Sequence, residues 1–349
     1  MTAFRSLTLS CLTILLNFWP SLAAPTSAPV PQMTYVALGD SLTAGSQSAG
    51  LTAQDQQDAY PAVIAKLGHF PFGVPTGAGA GCPPPLGGPK LTPQSCVREH
   101  PSVRGSNFAV PGAHVEDLLN RTAKNVGDDL TRRLYTLILG PQQTQVQAAI
   151  KSRPRFISIW VGGNNVLDAA AAGDVEGVTP PAAFEAAYRK LLDALAITKA
   201  RIVVFTVPDV TSVPLFISGP LYFHYGFGSA SCEHSVNRVA ASILLHQQRV
   251  DCDAPYALTP GKVLNFQQVV ASYNASIRKL AQERGIPVFD VAPLLAGLQR
   301  PPVNPVSPEP FGPDFSRDGV HVSSAVQAKL ARALIVEGNA RMDLKVPLP

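Results

Sequence analysis

The stretch Thr34-Tyr-Val-Ala-Leu-Gly-Asp-Ser-Leu-Thr-Ala-Gly45 is the most informative part of the chain. A short apolar run that ends at a glycine, as 34–38 does at Gly39, is typical of a buried strand that enters a tight turn. The serine of that turn, Ser41, therefore lies at the carboxyl end of a strand, close to the start of the next helix. There a hydroxyl can be exposed and free backbone N–H groups can bind an anion, which suits a nucleophile.

Similar strand patterns recur along the chain between segments with helical periodicity. The predicted strands are 34–38, 106–110, 155–161, 201–207 and 286–291, and the predicted helices are 60–67, 114–120, 142–150, 181–195, 264–284 and 324–338. Strands that alternate with helices predict an α/β sandwich with a parallel sheet. We expect one domain over 34–349, with loop insertions at 70–103 and 212–262.

The first 33 residues have the pattern of a targeting segment. Arg5 precedes an apolar stretch at 7–19, and Ser21-Leu-Ala23 offers small residues where a signal peptidase reads. We therefore predict a signal peptide over 1–23, a short leader over 24–33 and a secreted or periplasmic protein. An uncleaved membrane anchor is the alternative, which we do not favour because the apolar stretch falls short of about 20 residues.

The composition indicates a globular protein with no affinity for nucleic acid. Hydrophobic residues make up 46% of the 349 residues and charged residues 15%, which is enough for a sizeable core. The net charge of +4 is small for this length, and no basic block stands out. These observations exclude nucleic acid as an expected partner.

Four cysteines remain after the predicted signal peptide: Cys82, Cys96, Cys232 and Cys252. An even number in an exported chain predicts disulfides, and four cysteines allow three pairings. We favour the sequence-local pairing, Cys82 with Cys96 and Cys232 with Cys252, because each bond then closes one loop. A zinc site is the alternative, but the spacings do not match those of tetrahedral zinc sites.

Polar residues follow three of the predicted strands. Ser41 follows the first, Gly112 the second and Asn164 the third, and functional loops gather at the carboxyl ends of parallel strands. Asp318 and His321, three residues apart just before the last helix, can project from one turn toward the same edge. The five residues are thus predicted to share one site.

These residue types fit acyl transfer. The hydroxyl of Ser41 is a weak nucleophile that needs a base, for which His321 is the candidate. Asp318 would hold the imidazole in one tautomer and support its positive charge. The backbone N–H groups of Ser41 and Gly112 and the side-chain amide of Asn164 would form the oxyanion hole.

The chain resembles the SGNH or GDSL superfamily of serine esterases and lipases, in particular bacterial secreted members. Four blocks carry the resemblance in order: Gly39-Asp-Ser-Leu42, Asn107-Phe-Ala-Val-Pro-Gly-Ala113, Gly162-Gly-Asn-Asn165 and Asp318-Gly-Val-His321. The resemblance extends from about Thr34 to the final helix. It implies a flavodoxin-like α/β/α sandwich of three layers, here with five parallel strands, and neither metal nor organic cofactor.

The third block departs from the family pattern, which has aspartate where this chain has Asn165. The amide of the oxyanion hole belongs to Asn164, so we expect catalysis to survive. Asn165 is expected to have a structural role, since an amide can replace some of the hydrogen bonds of a carboxylate. Asp40 is expected to stabilise the turn, and His114 to be solvated.

The expected substrate is a lipid, a small acyl ester or an acylated glycan. The aromatic-rich run 215–227 predicts either an acyl groove or lid, or a hydrophobic cluster beneath a loop. The segment 70–103 could form the opposite wall of such a groove. A carbohydrate acetyl esterase and a non-catalytic envelope-binding protein of the same fold are the alternatives.

Overall fold

The computed structural model of the protein describes residues 34–247 and 249–347. The strands are β1 Tyr35–Gly39, β2 Phe156–Trp160, β3 Arg201–Phe205, β4 Phe216–Ser218, β5 Arg238–Ala240 and β6 Val288–Phe289. The helices are α1 Ser41–Ala44, α2 Ala53–Asp58, α3 Tyr60–Leu67, α4 Asp117–Asn120, α5 Asp129–Leu139, α6 Gln145–Ser152, α7 Asn164–Ala172, α8 Pro181–Ala196, α9 Gly219–His224, α10 Pro260–Gln282, α11 Ala292–Ala296 and α12 Ser324–Met342. The predicted signal peptide and leader, 1–23 and 24–33, lie outside the described residues and stay predictions.

The main sheet is parallel and has helices on both faces. Its strand order is β1-β2-β3-β6, while β4 and β5 pair antiparallel in a separate sheet. Alternate side chains of a strand point to opposite faces. Val36 and Leu38 join a core with α5, α6, α8 and α10, whereas Tyr35 and Ala37 join a second core with α3 and α12. The predicted three-layer α/β/α sandwich is confirmed, and both β1 and β2 are buried throughout, as their apolar runs predict.

The prediction of five strands is corrected to four in this sheet. The segment 106–110 lies parallel to β1 and is linked to it by backbone hydrogen bonds, but only Ala37 and Asn107 pair as in a strand. The Asn107 side chain accepts from the N–H of Ala109 at 3.2 Å. The N–H that the next ladder bond would use, that of Gly39, instead donates to Gln145 Oε1 at 3.0 Å, so the pairing stops after one residue.

The end of β1 is fixed by a buried side chain of α6. Gln145, which is fully buried, accepts from the N–H of Gly39 at 3.0 Å and donates to its carbonyl at 2.9 Å. A Cβ at Gly39 would lie 2.2 Å from the carbonyl oxygen of Trp160, so a side chain does not fit there. The turn that presents Ser41 is therefore held on both sides.

Both disulfides form with the favoured pairing. Cys82 bonds to Cys96 and Cys232 to Cys252, with Cα–Cα distances of 4.8 and 5.0 Å. The second disulfide packs with Tyr222, Val239 and other residues in a hydrophobic cluster separate from the two main cores. Tyr222 of the run 215–227 therefore belongs to a cluster beneath a loop, which was one of its two predicted roles.

Several helices lie where the sequence indicated turns or loops. Helix α7 begins at Asn164, directly inside the third block, and α5 occupies a segment with no predicted element. Helix α10 begins at Pro260, inside the predicted insertion 212–262. Among the described residues, no helix combines the length and the apolar character needed to cross a bilayer.

Replacement of Gln145 tests the anchoring of the turn. Gln145→Leu leaves the N–H of Gly39 buried without a partner, whereas its C=O keeps the N–H of Val110 at 3.2 Å. An orphaned buried donor costs about 1–3 kcal/mol, and we expect the free energy of unfolding in urea to fall by about that amount. Gln142→Leu, at an exposed position just before α6, is the control and should change it by less than about 0.5 kcal/mol. Equal stability of the two variants would contradict the anchoring role.

Candidate active site

Ser41 is the first residue of α1 and is partly exposed. Asp40 caps this helix, because its Oδ1 accepts from the N–H of Leu42 at 3.1 Å, and its expected role in stabilising the turn is confirmed. Within the part of the chain that the structure describes, the Ser41 hydroxyl makes no hydrogen bond and its N–H has no acceptor. Both groups are therefore available to a ligand.

Burial changes the proton affinity of Asp40. The loss of water raises its pKa to about 7, although the N–H of Leu42 and the charge of His321 act in the opposite direction. Since Asp40 is almost fully buried, its carboxyl is protonated in a large part of the molecules at neutral pH. It then adds little negative charge behind Ser41.

Asp318 and His321 lie on one turn and contact each other directly. His321 Nδ1 is 2.7 Å from Asp318 Oδ2, while Asp318 Oδ1 accepts from the N–H groups of Val320 and His321 at 2.8 and 2.9 Å. A carboxylate can only accept, so Nδ1 carries the proton of the neutral ring. The second ring nitrogen, Nε2, has no partner among the described residues and is left as an acceptor.

This pair shifts the pKa of both members. Burial would raise the pKa of Asp318, but the charge and ring N–H of His321, together with backbone N–H groups, hold it well below its usual range. Burial would lower the pKa of His321, but the charge of Asp318 and its hydrogen bond raise it above 6.5. Asp318 is thus ionised at neutral pH and favours the protonated imidazole.

The turn that carries Asp318 is fastened to the segment that follows α1. The N–H of Ser48 donates to Ser316 Oγ at 2.8 Å, and the N–H of Ala49 donates to Asp318 Oδ2. Ser48 and Ala49 have φ values of 52° and 55°, which non-glycine residues seldom adopt. The local strain is typical of functional segments, and it aims both N–H groups at this turn. No pattern in the sequence predicted these contacts.

A second link runs from the last helix. Gln327 of α12 is fully buried, accepts from the N–H of Tyr60 at 2.9 Å and donates to the carbonyl of Leu42 at 3.0 Å. It joins α12 to both α1 and α3. The helix that follows His321 is therefore tied to the helix that begins with Ser41.

Asn164 contacts the residue that follows Gly112. Asn164 Nδ2 donates to the carbonyl of Ala113 at 3.0 Å, and because an amide nitrogen carries two protons, one remains free. Gly112 has a φ of 79°, and a Cβ there would have no heavy atom within 4 Å. Its N–H has no acceptor among residues 34–247 and 249–347. Both donors are therefore free to bind a ligand oxygen.

Asn165 holds the loop that carries Gly112. Its Oδ1 accepts from the N–H of Val115 at 3.0 Å, and its Nδ2 donates to Glu116 Oε2 and Thr179 Oγ1 at 3.1 and 3.0 Å. An aspartate could keep the first bond but could not donate to Glu116. These contacts confirm the expected structural role, and they explain why an amide suits this position.

His114 is not simply solvated, which corrects the prediction. Its Nε2 lies 3.0 Å from Asp168 Oδ2 and its Nδ1 lies 3.5 Å from Glu116 Oε1. The hydrogen bonds to Asp168 and Glu116 raise the pKa of His114 to about 10, and the bond to His114 lowers the pKa of Glu116 to about 2. His114 therefore links the Gly112 loop to α7 through ion pairs.

A cavity of about 580 Å³ opens beside Ser41, within the size range of small-molecule sites. It is lined by Asp40, Ser41, Leu42, Trp160, Gly163, Asn164, Leu167, Pro208, Asp209, Val210, Ser212, Val213, Arg238, Ala292, Leu295, Ala296, Arg300, Phe315, Val320 and Val322. Most of the wall is apolar. The segment 70–103 contributes nothing to it, and the run 215–227 contributes nothing either, which corrects both predicted roles as cavity walls. Helix α11, which was not predicted from the sequence, lines the cavity instead.

A family model decides the assignment. The model of the GDSL-like lipase/acylhydrolase family matches residues 35–334. The chain belongs to this family. This GDSL-family protein is a carboxylic ester hydrolase, as the sequence predicted. Among the described residues, no group of three or more His, Cys, Asp or Glu side chains is arranged to hold a metal ion.

Solved structures of an esterase and of a second hydrolase are similar to this GDSL-family chain in fold. An acetylxylan esterase from Geobacillus stearothermophilus is 16% identical with a TM-score of 0.42, over 87% of this chain and 92% of that one. An alpha/beta hydrolase from the metagenome of Lake Arreo is 14% identical with a TM-score of 0.41, over 86% of this chain and 93% of that one. No curated protein sequence matches the chain.

Asn165→Asp tests the structural role of this amide. The variant loses the bond donated to Glu116 and places a second carboxyl against it, so we expect the free energy of unfolding to fall by about 1–3 kcal/mol. The double variant with Glu116→Gln should recover much of the loss, because the new amide can donate to the aspartate. Asn304→Asp is the control, since Asn304 is exposed and only accepts, from Val306. Urea denaturation measures all four proteins, and an unchanged stability of Asn165→Asp would refute the role.

Proposed function

We propose that this GDSL-family hydrolase cleaves carboxylic esters through an acyl-enzyme on Ser41, with His321 as the base and Asp318 as its partner. The observation that carries the proposal is the 2.7 Å contact between Asp318 and His321, on a turn bonded to the segment after Ser41. It supplies what a serine hydroxyl lacks, a neighbouring base held in one tautomer.

The reaction proceeds in two half-reactions with the same groups. Ser41 Oγ attacks the carbonyl carbon of the ester, and its proton passes to His321 Nε2. The tetrahedral intermediate collapses, the C–O bond to the alcohol breaks, and the alcohol leaves with the proton from Nε2. Water then attacks the acyl-enzyme in the same way, which releases the carboxylic acid and restores Ser41.

The negative oxygen of each intermediate is bound by three donors in this proposal. They are the backbone N–H groups of Ser41 and Gly112 and the free proton of the Asn164 amide. All three are without other acceptors in the described part of the chain, and Asn164 shares a cavity wall with Ser41. Donors fixed before the reaction stabilise charge as it develops, at about 2.7–4 kcal/mol for one donor.

We also propose that the protein is exported, to the periplasm or the medium. The two disulfides support an oxidising compartment, in which such bonds persist. The apolar cavity supports an acyl chain longer than acetyl as the bound group. A carbohydrate acetyl esterase would have no use for most of this apolar wall.

Ser41→Ala is the first test. We expect kcat/KM on p-nitrophenyl esters to fall about 10⁴-fold or more, since removal of a catalytic serine leaves only binding and the oxyanion donors. Ser46→Ala is a matched control, because Ser46 is buried in the turn after α1 and its hydroxyl has no partner among the described residues. A fluorophosphonate probe should label the wild type and Ser46→Ala but not Ser41→Ala. Wild-type rates in Ser41→Ala would end the proposal.

The pH dependence follows from the raised pKa of His321. The base must be neutral, so kcat/KM should rise with pH through a midpoint above 6.5 and be lost as the pH falls below it. Asp318→Asn removes the charge that raises this pKa, so the midpoint should move to lower pH while the rate falls by about 10⁴-fold. A flat profile from pH 5 to 8 in the wild type would exclude His321 as the base.

Asn164→Ala tests the oxyanion hole. We expect kcat to fall about 10²–10³-fold with little change in KM, because the lost donor acts mainly on the transition state. Asn164→Asp keeps the size of the side chain but not the donors, and should lose at least as much. An increase in KM alone would show that Asn164 binds substrate and does not stabilise the oxyanion.

A further inference from the structure

Two arginines, Arg238 and Arg300, line the cavity that contains Ser41. Within the described residues, neither guanidinium has a carboxylate within 4.0 Å, whereas most of the remaining wall is apolar. A guanidinium without a carboxylate partner forms charge-assisted hydrogen bonds when an anion binds it. The two positive charges are therefore unmatched by the protein itself.

The backbone of Arg238 is fixed on both sides. Arg238 lies in β5, pairs with Ser218 of β4 and exchanges two backbone hydrogen bonds with Leu258, at 3.1 and 2.7 Å. Its Nη1 donates to the carbonyl of Thr211 at 2.9 Å. A guanidinium has five N–H donors, so most of them remain free in the cavity wall.

Arg300 is held against the part of the wall formed by α11 and Phe315. Its Nη2 donates to the carbonyl of Leu295 at 2.8 Å, and its guanidinium carbon lies 5.4 Å from the centre of the Phe315 ring. Leu295 and Phe315 both line the cavity. The stacking and the hydrogen bond orient this second charge at the same cavity.

The carboxyl groups of the cavity are committed elsewhere. Asp209 accepts from the N–H of Thr211 at 2.9 Å and from Gln267 Nε2 at 2.9 Å. Asp40 accepts from Leu42 at the start of α1. Neither carboxyl forms an ion pair with Arg238 or Arg300, so the arginines remain available to a ligand.

We propose that the cavity takes an ester with an apolar chain and an anionic group, a carboxylate or a phosphate, which Arg238 and Arg300 bind. This inference rests on the proposed function, because it names the substrate class of the Ser41 site. Arginine suits such groups, since its planar fork donates two parallel hydrogen bonds to carboxylate or phosphate oxygens. The apolar wall contacts the chain that joins the anionic group to the ester.

Two pairs of substrates test the proposal and distinguish the sources of the charge. The first pair is p-nitrophenyl hexanoate and the p-nitrophenyl monoester of adipic acid, which adds a carboxylate to the acyl side. The second pair is 1-lauroylglycerol and its 3-phosphate, which adds a phosphate to the alcohol side. We expect kcat/KM to be about ten-fold higher for the anionic member of at least one pair, and this ratio to fall as NaCl is raised.

Variants of the two arginines identify the cause of the preference. Arg238→Gln and Arg300→Gln should each lower the ratio toward one, mainly through KM of the anionic ester, and Arg238→Lys should keep part of it. Arg300 is exposed, so its variant tests the proposal even if Arg238→Gln perturbs β5. Arg249→Gln, an exposed arginine outside the cavity wall, is the control and should keep the wild-type ratio.

Two results would overturn the proposal: equal kcat/KM within both pairs, or a preference that survives both glutamine variants. Either result leaves the proposed function intact, because the neutral esters are still hydrolysed through Ser41. Failure of the proposed function would give a different result. In that case Ser41→Ala would retain the wild-type rate on every ester, whatever its charge.

Discussion

The close approach of Gly39 to β2 is the constraint on which the rest of the structure depends. The backbone of Gly39 lies against the Trp160 carbonyl. The side chain of Gln145 forms hydrogen bonds with both the N–H and the C=O of Gly39. Because nothing at this corner can shift without exposing a buried polar group, the first residues of α1 have one position. Every other part of the site is placed relative to that corner, including the turn of His321 through Ser48 and Ala49.

Burial raises the pKa of the two carboxyls near Ser41, and hydrogen-bond donors and positive charge lower it. The same loss of water raises the pKa of Asp40 and would raise that of Asp318, yet the pKa of Asp318 is held low. Asp318 binds the ring of His321 directly as well as backbone N–H groups, whereas Asp40 has backbone N–H groups but no direct bond to a histidine. The donors around each carboxyl therefore decide how low its pKa lies. One negative charge is thereby concentrated behind the imidazole.

The sequence predicted the parts of this site that depend on local patterns. The strand-to-turn corner with a glycine before Ser41 is recognisable without knowledge of distant contacts. The same is true of Asp318 and His321, which lie three residues apart on one turn. Gln145, Gln327 and Arg300 were missed because each acts across more than 100 residues or at the end of an unpredicted helix, and a lone Gln or Arg has no local pattern. The prediction of a fifth strand is wrong because Gln145, from a distant segment, binds the Gly39 N–H that the ladder would use, which propensity does not report.

In the β4–β5 hairpin, Val239 packs with the Cys232–Cys252 bond in a small cluster separate from the two cores that cover the sheet, whereas Phe216 and Ala240 join one of those cores. Residues of this cluster can be exchanged during evolution without repacking β1 or α12, since substitutions in separate clusters are nearly independent. Yet the hairpin carries Arg238 into the cavity wall. Selection can therefore alter the cavity wall near Arg238 through this cluster, while β1 and the turn of His321 are inherited unchanged.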